Sequence, residues 1–304
     1  MTPGKTILIT GGTGLVGKHL QHQLLVKGYN IKVLSSNESA CDGITIFYWN
    51  ITSGYIDIRA IEKVNYIVHL AGANIAQKRW TAAQKQNILD SRIKSMQLLY
   101  SAIDKSTHQL SAVISSSGAG YYGAYTNEKI YHESDTAAED FLGSICLQWE
   151  NSVAQFSELK IRTVALRAGV VFAKGGGALE KLKMFAKFGL SAAFGTGKQY
   201  FPWIHIHDLC AMYIKAIEDN NMRGAYNAVA PQHINNKYFT STLAKCLGKP
   251  YFLPNVPAFV LKIMLGEMAV LLLEGSRVSC EKIQDAGFAF KFKDCEEAIR
   301  DLIV

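Results

Sequence analysis

The fold of this chain is decided by the stretch TILIT at residues 6–10 and by the glycine-rich GGTGLVG at residues 11–17 that follows it. The first stretch is a short apolar run that predicts a buried strand, and the next residues, KHLQHQLL, favour a helix. Gly11, Gly14 and Gly17 have the GxxGxxG spacing, which lets the backbone approach a pyrophosphate at the positive N-terminal end of that helix. The context on both sides therefore predicts a dinucleotide-binding turn.

Short β-rich runs alternate with helix-length segments through the first two thirds of the chain. The predicted strands are Thr6–Thr10, Ile31–Ser35, Ile44–Trp49, Tyr66–Ala71, Ala112–Ser117 and Arg162–Val171. Such alternation predicts βαβ units and a parallel sheet covered on both faces. We expect an α/β protein with a doubly wound, parallel-sheet Rossmann fold and a smaller C-terminal substrate lobe.

Beyond Val171 the pattern loosens into a Gly-rich stretch and a helix-like segment. We predict an NAD(P)-binding Rossmann domain over residues 1–230, within which residues 172–203 contribute to the substrate lobe. A small C-terminal domain is predicted over residues 231–304.

The end of the second predicted strand bears on the choice of cofactor. In NAD-binding proteins an acidic residue there contacts the adenosine ribose, whereas this chain has Ser35, Ser36 and Asn37. A carboxylate would repel a 2′-phosphate, and hydroxyls and an amide can donate to one. The sequence favours NADP(H), and Glu38 keeps NAD(H) open as the alternative.

Four separated motifs carry a resemblance to a known family. They are TGGTGLVG at 10–17, HLAGA at 69–73, SSSGAGYYG at 115–123 and WIHIHDL at 203–209. In this order they resemble the extended short-chain dehydrogenases/reductases. The stretches HLAGANIAQKRW, CLQWE and LPNVPAFVLKIMLGEMA resemble more narrowly the atypical "epimerase family protein" subgroup, sugar-nucleotide epimerase-like proteins with a small C-terminal domain.

The resemblance implies a catalytic Ser after the fifth strand and a Tyr-x-x-x-Lys pair on the following helix. The Ser corresponds to Ser117, with Ser116 as an open alternative. The pair does not appear, because Cys146 stands at the Tyr place and Glu150 at the Lys place. A carboxylate cannot supply the positive charge that depresses the pKa of a phenol, so the family's standard hydride mechanism is in doubt.

Two kinds of residue could replace the Tyr/Lys pair in acid/base catalysis. Tyr121 or Tyr122, in the loop after the fifth strand, is one, and Glu150 is the other if burial raises its pKa. Against them, paired tyrosines beside a Gly turn often serve packing, and Glu150 could pair with Arg92 or Arg167.

The candidate cofactor-binding residues follow from the glycine turn and from the rule that ligands lie at the carboxyl ends of parallel strands. Arginine is included because it binds phosphate bidentately. The set is Gly11, Thr13, Gly14, Leu15, Val16, Gly17, Ser35, Ser36, Leu70, Ala71, Gly72, Arg92, Ser115 and Arg167.

Composition narrows the class of protein. The formal net charge is +7, but the lysines are spread along the chain without a basic run and interleaved aromatics, so we expect no nucleic-acid partner. Six cysteines without a CxxC motif indicate a reducing compartment, and we expect a cytoplasmic protein. His205 and His207 could chelate a metal, but no third ligand lies nearby in sequence, so no metal is expected.

The apolar stretch from Val256 to Leu273 is interrupted by Lys262 and Glu267. Because a spanning helix would place these charges in hydrocarbon, we interpret it as a buried or groove-lining helix and expect no membrane partner.

Two functional hypotheses follow. The first is an NADP(H)-binding oxidoreductase or epimerase-like enzyme acting on a small polar or nucleotide-linked substrate. The second is a non-catalytic NADP(H)-binding sensor, which the missing Tyr/Lys pair favours. The sequence leaves the substrate, the reaction direction and the oligomeric state open.

Overall fold

The computed structural model describes residues 4–37 and 44–303. The strands are β1 (Thr6–Thr10), β2 (Asn30–Ser35), β3 (Thr45–Asn50), β4 (Tyr55–Ile56), β5 (Tyr66–His69), β6 (Ala112–Gly118), β7 (Ile130–Tyr131), β8 (Arg162–Ala168), β9 (Val170–Phe172), β10 (Trp203–His205), β11 (Gly224–Ala228) and β12 (Arg277–Val278). The helices are α1 (Leu15–Val26), α2 (Ala82–Asp104), α3 (Phe141–Ala154), α4 (Gly177–Lys187), α5 (Ile206–Glu218), α6 (Asn236–Cys246), α7 (Ala258–Leu265), α8 (Val270–Leu273), α9 (Glu281–Asp285) and α10 (Cys295–Ile303).

The main sheet has the strand order β11-β8-β6-β5-β1-β2-β3-β4. All neighbours in it run parallel except β4, a short strand antiparallel to β3 that the sequence analysis did not predict. The chain leaves β1 toward β2 on one side and returns to β5 on the other, so a crevice opens at the carboxyl ends of these strands. The expected doubly wound Rossmann fold is confirmed.

Both faces of the sheet are covered by helices. Ile7 and Ile9 of β1 point to the side where α1 and α5 pack, and Leu8 points to the side of α2 and α3. This is the alternation that a strand requires, and it explains why the run TILIT is apolar throughout.

The predicted strand Arg162–Val171 is in fact two strands that belong to different sheets. β8 lies in the main sheet, while β9 leaves it and pairs with β10. The break falls at Gly169, where a Cβ atom would lie 2.7 Å from the carbonyl oxygen of Pro202. An almost continuous apolar run hides this break, because both halves are partly or fully covered.

Residues 172–203 are tied to the C-terminal part of the chain. Phe194 bridges Val256, and Tyr200 bridges Asn235. Separately, the pairing of β7 with β12 ties the segment between β6 and α3 to the C-terminal part. A small apolar cluster around Trp80 and Met268 joins the loop after β5 to the same region. The C-terminal part therefore lies across the carboxyl edge of the sheet. The domain boundaries themselves stay a prediction.

The apolar stretch 256–273 is more exposed than a buried helix would be. It forms α7, one turn of 3-10 helix and α8, and within α7 only Leu261 is fully buried. Phe259, Ile263 and Met264 are exposed, so of the two alternatives, a buried or a groove-lining helix, the buried one is wrong for α7. Within the residues that the structure describes, no helix is long and apolar enough to cross a membrane.

The motif WIHIHDL anchors the C-terminal segment. Asp208 is 1% exposed, and its two carboxylate oxygens accept hydrogen bonds from the backbone N–H groups of Lys291 and Phe292, at 3.0 and 2.9 Å. The ring of His205 packs on Phe292. Across residues 4–37 and 44–303, no group of three or more His, Cys, Asp or Glu side chains could hold a metal ion.

We expect Asp208→Ala to lower the free energy of unfolding by about 2 kcal/mol, because it leaves the buried N–H of Phe292 and the part-buried N–H of Lys291 without an acceptor. Urea denaturation measures the change. Asp90→Ala, which removes a half-exposed carboxylate paired with Lys94, is the matched control and should cost about 0.5 kcal/mol or less. Equal effects of the two substitutions would contradict the anchoring role of Asp208.

Candidate functional site

In the turn between β1 and α1, the backbone lies in close contact with itself and with the backbone after β5. Gly11 has a φ of +68°, and a Cβ atom on it would lie 2.8 Å from the backbone nitrogen of Ala71. A Cβ atom on Gly17 would lie 2.6 Å from the carbonyl oxygen of Gly11. Side chains are therefore excluded at both positions, and the turn lies directly beside the end of β5.

No side chain of residues 4–37 or 44–303 caps the N-terminus of α1. Gly14 precedes the helix without a capping hydrogen bond, and the first turn contains no acidic residue. Thr13 and Gly14 are exposed, and Leu15 and Val16 are half-buried. Free N–H groups and the helix dipole at an exposed glycine turn suit an anion, so this end of α1 fits the pyrophosphate of a dinucleotide.

A buried polar chain fixes the end of β5 beside that turn. His69 is fully buried, with Nδ1 2.8 Å from the Thr10 hydroxyl and Nε2 3.2 Å from the Ser95 hydroxyl. The same Thr10 oxygen accepts the backbone N–H of Ala71. Burial, together with the nearby charge of Arg92, lowers the pKa of His69 to about 3, so its ring is neutral at physiological pH.

Arg92 lies under Gly72 at the same edge. A Cβ atom on Gly72 would lie 3.1 Å from the guanidinium carbon, and that carbon lies 4.8 Å from the centre of the Trp149 ring. Burial lowers the pKa of Arg92, and no carboxylate in the described part of the chain pairs with it. A cation of this kind beside the crevice fits a phosphate group.

The end of β2 has no carboxylate in its described part. Ser35 is nearly buried, and its hydroxyl oxygen accepts the backbone N–H of Asn37 at 3.1 Å, which leaves the hydroxyl hydrogen to donate. Ser36 is exposed. Glu38, which kept NAD(H) open, lies outside the described residues.

Three of the predicted residues meet in one buried network. The Arg167 guanidinium donates two hydrogen bonds to the Glu150 carboxylate, each 2.8 Å long, and the Ser117 hydroxyl donates a third at 2.7 Å. Burial alone would lower the pKa of Arg167, but the hydrogen bonds and charge of Glu150 outweigh it and raise that pKa. Of the partners proposed for Glu150, the structure shows Arg167 and not Arg92.

The two tyrosines after β6 have different surroundings. Tyr122 is 1% exposed, and its hydroxyl accepts from Arg167 and donates to Asn227. Burial raises its pKa. The ring of Tyr121 lies 3.3 Å from the Arg167 guanidinium carbon, and its hydroxyl has no hydrogen-bond partner among the described residues. Tyr121 is therefore the one of the two whose hydroxyl is available to a ligand.

Cys146, which the sequence analysis predicts at the place of the family's tyrosine, lies beside Ser117 and Gly118. Burial, together with the charge of Glu150, raises the pKa of its thiol to about 11. The thiol is therefore protonated at neutral pH and is a poor nucleophile there.

Alternation along β6 separates its serines. Ser117 faces α3 and Glu150, and Ser116 lies near Tyr213 of α5 on the opposite face. Ser115, proposed as a cofactor ligand, is fully buried, and its hydroxyl donates to the carbonyl of Ser116. Leu70, from the same set, is half-buried and packs against the core.

Sequence reasoning missed His69, Ser95, Asn227 and Glu133 as parts of this region. Asn227 accepts from Tyr122, and its backbone N–H donates to Glu133. The motif HLAGA could have pointed to His69, which is a polar residue in an otherwise apolar strand. Nothing in the sequence points to Asn227, because only the pairing of β11 with β8 brings it to the site.

Residues 7–229 match the NAD dependent epimerase/dehydratase family. The chain belongs to this family. Residues 256–302 match a further family, described as a domain of unknown function, DUF1731. The resemblance stated from the motifs is confirmed.

Several relatives cover nearly the whole of this family member. An epimerase family protein of Staphylococcus aureus is 32% identical over 98% of this chain and 99% of its own. The crystal structure of the human epimerase family protein SDR39U1 (isoform 2) with NADPH is 30% identical over 98% of both chains, with a TM-score of 0.88. A nucleoside-diphosphate sugar epimerase of Corynebacterium glutamicum is 28% identical over 99% of this chain and 58% of its own, with a TM-score of 0.80.

Acid should weaken the fold through His69. In the unfolded chain its pKa is the ordinary 6.5, and in the folded protein it is about 3, so below pH 6.5 the unfolded state binds the extra proton. We expect this residue to remove roughly 2 kcal/mol of the free energy of unfolding between pH 7 and pH 5.

Urea denaturation of the wild type and of His69→Asn at both pH values isolates this contribution, because all other titrating groups are shared. The variant should lose less stability on acidification than the wild type. Equal losses would contradict a neutral, buried His69.

Proposed function

We propose that this epimerase-family protein is an NADP(H)-dependent oxidoreductase or epimerase-like enzyme that acts on a small polar or nucleotide-linked substrate. One observation carries the proposal. The glycine turn lies at the same carboxyl edge of the sheet as a buried network of Ser117, Glu150, Arg167 and the paired tyrosines. A cofactor turn and polar groups able to handle a proton thus share one crevice.

The residues that would hold the cofactor are those of the glycine turn and of the strand ends beside it. The N-terminal N–H groups of α1 and the Arg92 guanidinium suit the pyrophosphate, and Ser35 with Ser36 suits a 2′-phosphate. NADPH in the human relative supports the preference for NADP(H). When bound, the nicotinamide supplies the hydride acceptor or donor.

Tyr121 is the residue we propose for proton transfer. Its hydroxyl has no hydrogen-bond partner in the described part of the chain, and Arg167 places a positive charge against its ring. In the family's usual arrangement a lysine on the helix brings the charge to the tyrosine. Here Arg167 of β8 would take that part, while Glu150 at the lysine's place neutralises and orients the arginine.

Ser117 is the residue we propose for orienting the substrate oxygen. Its hydroxyl hydrogen is committed to Glu150, so its lone pairs are left to accept a hydrogen bond from a substrate hydroxyl. This geometry favours binding of an alcohol at the site. The name of the corynebacterial relative supports the nucleotide-linked class of substrate.

We also propose that the protein is located in the cytoplasm. The described cysteines are all free, and four of the five are buried, which suits a reducing compartment.

The sensor hypothesis has its own support. The bidentate pairing with Arg167 occupies Glu150, and the pKa of about 11 keeps Cys146 protonated. Neither residue at the Tyr and Lys places can therefore perform the family's usual step, whereas the glycine turn is intact. A protein that binds NADP(H) without turnover would look the same at these positions.

The preference for NADP(H) predicts the effect of Ser36→Asp. A carboxylate at the end of β2 repels a 2′-phosphate and can accept from a ribose hydroxyl, so we expect NADPH affinity to fall at least about tenfold and NADH affinity to hold or rise. Fluorescence titration with both nucleotides measures this. Ser101→Asp, at an exposed serine of α2, is the control. If Ser36→Asp binds NADPH as tightly as the wild type, the proposed 2′-phosphate site is wrong.

The assignment of Tyr121 predicts the effect of Tyr121→Phe. We expect turnover of NADPH with a panel of aldehydes, ketones and nucleoside-diphosphate sugars to fall by about a hundredfold or more, as for loss of a general acid. The dissociation constant of NADPH should be unchanged. Tyr125→Phe, at an exposed tyrosine of the same loop, should leave turnover intact.

Undiminished turnover in Tyr121→Phe would reject that residue as the proton donor. Tight NADPH binding without turnover of any compound would favour the sensor.

A further inference from the structure

Two segments of the C-terminal lobe, which we call the lobe edge, carry most of the protein's net charge. Residues 174–198 and 249–264 contain seven lysines and one glutamate, so they hold six of the seven positive charges in the formal net charge. Glu180, the one acidic residue, pairs with Lys183. The exposed lysines of the lobe edge are Lys174, Lys181, Lys187, Lys198, Lys249 and Lys262.

The same segments expose large apolar side chains. Phe188 is 78% exposed, Phe252 is 73% exposed and Ile263 is 71% exposed. The others are Met184, Phe185, Leu190, Phe259 and Met264. Single exposed apolar residues are ordinary, but eight in two short segments mark a binding surface.

Backbone contacts hold the two segments side by side. The N–H of Val256 donates to the carbonyl of Ala193 at 2.8 Å, and the N–H of Gly195 donates to the carbonyl of Val256 at 2.9 Å. The bridge between Phe194 and Val256 is parallel, so Leu190 and Phe252 each precede it by four residues. The two segments that carry the exposed groups thus lie side by side where residues 193–195 meet Val256.

We propose that the lobe edge binds the surface of an anionic lipid bilayer. Apolar side chains on a short helix, flanked by lysines, are the chemistry of a helix that lies in a membrane interface. The apolar groups would enter the boundary between headgroups and acyl chains, and the lysines would meet anionic headgroups. This departs from the sequence-based expectation of no membrane partner, which considered a spanning helix and not a surface.

Two other occupants fit less well. A second copy related by two-fold symmetry would set the lysines of one lobe edge against those of the other, and like charges disfavour such a contact. Single-stranded nucleic acid would use aromatic groups for stacking, whereas half of the exposed apolar residues here are aliphatic or methionine.

Sedimentation of the full chain with lipid vesicles tests the proposal. We expect binding to vesicles of phosphatidylcholine mixed with phosphatidylglycerol, weakening with salt, and little binding to vesicles of phosphatidylcholine alone. The proposal does not depend on the cofactor or on catalysis.

Two double variants test the two parts of the surface. Phe188→Ser with Ile263→Ser and, separately, Lys187→Gln with Lys262→Gln should each lower the vesicle partition coefficient by about tenfold or more. The side chains are exposed, so the fold should hold, and thermal unfolding checks this. The matched controls are Val26→Ser with Ile58→Ser and Lys105→Gln with Lys293→Gln.

Protein that stays in the supernatant with both kinds of vesicle would overturn the proposal. So would binding that falls equally in the lobe-edge variants and in their controls. Light scattering of the same samples measures self-association. If the wild type self-associates, the apolar double variant does not, and neither binds vesicles, the surface belongs to a contact with a second copy instead.

Discussion

The buried ion pair between Glu150 and Arg167 is the interaction on which the candidate site depends. Its three short hydrogen bonds, counting the one from Ser117, connect α3, β6 and β8. Through Tyr122 and Asn227 the connection extends to β11. Removing one partner would leave a charge buried without compensation, which typically costs 3–5 kcal/mol, roughly, in buried pairs. The positions of Ser117 and both tyrosines therefore follow from one charge balance.

This balance gives a physical reason for the predicted replacement of the Tyr/Lys pair. A lysine at position 150 would face Arg167 at close range, and two like charges in a buried site repel strongly. Glutamate at that position and arginine on β8 are thus compatible with each other. A positive charge is still present, because Arg167 lies against the ring of Tyr121. The positive charge beside the tyrosine is thus on β8 of the sheet and not on α3.

The cofactor side of the crevice depends on a different constraint, the contact of the glycine turn with the end of β5. Thr10 joins His69 to Ala71, and Gly72 leaves room for Arg92. Trp80, a few residues further on, packs with Met268 in the C-terminal lobe. The loop after β5 thus contacts both the glycine turn and the C-terminal lobe.

The sequence by itself determined the Rossmann fold and the cofactor turn, because apolar alternation and glycine spacing are local properties of the chain. Through the resemblance it also predicted Cys146 and Glu150 at the places of the family's Tyr and Lys. Only the tertiary structure decided that Arg167 and not Arg92 neutralises Glu150, and that Asn227 joins the network. It also decided that Tyr121, and not Tyr122, has a hydroxyl without a partner among the described residues. These partners lie 17 to 105 residues apart in the chain, so no local pattern specifies them. The break at Gly169 and the exposed face of α7 escaped the sequence for the same reason, since an apolar run does not reveal what packs against it.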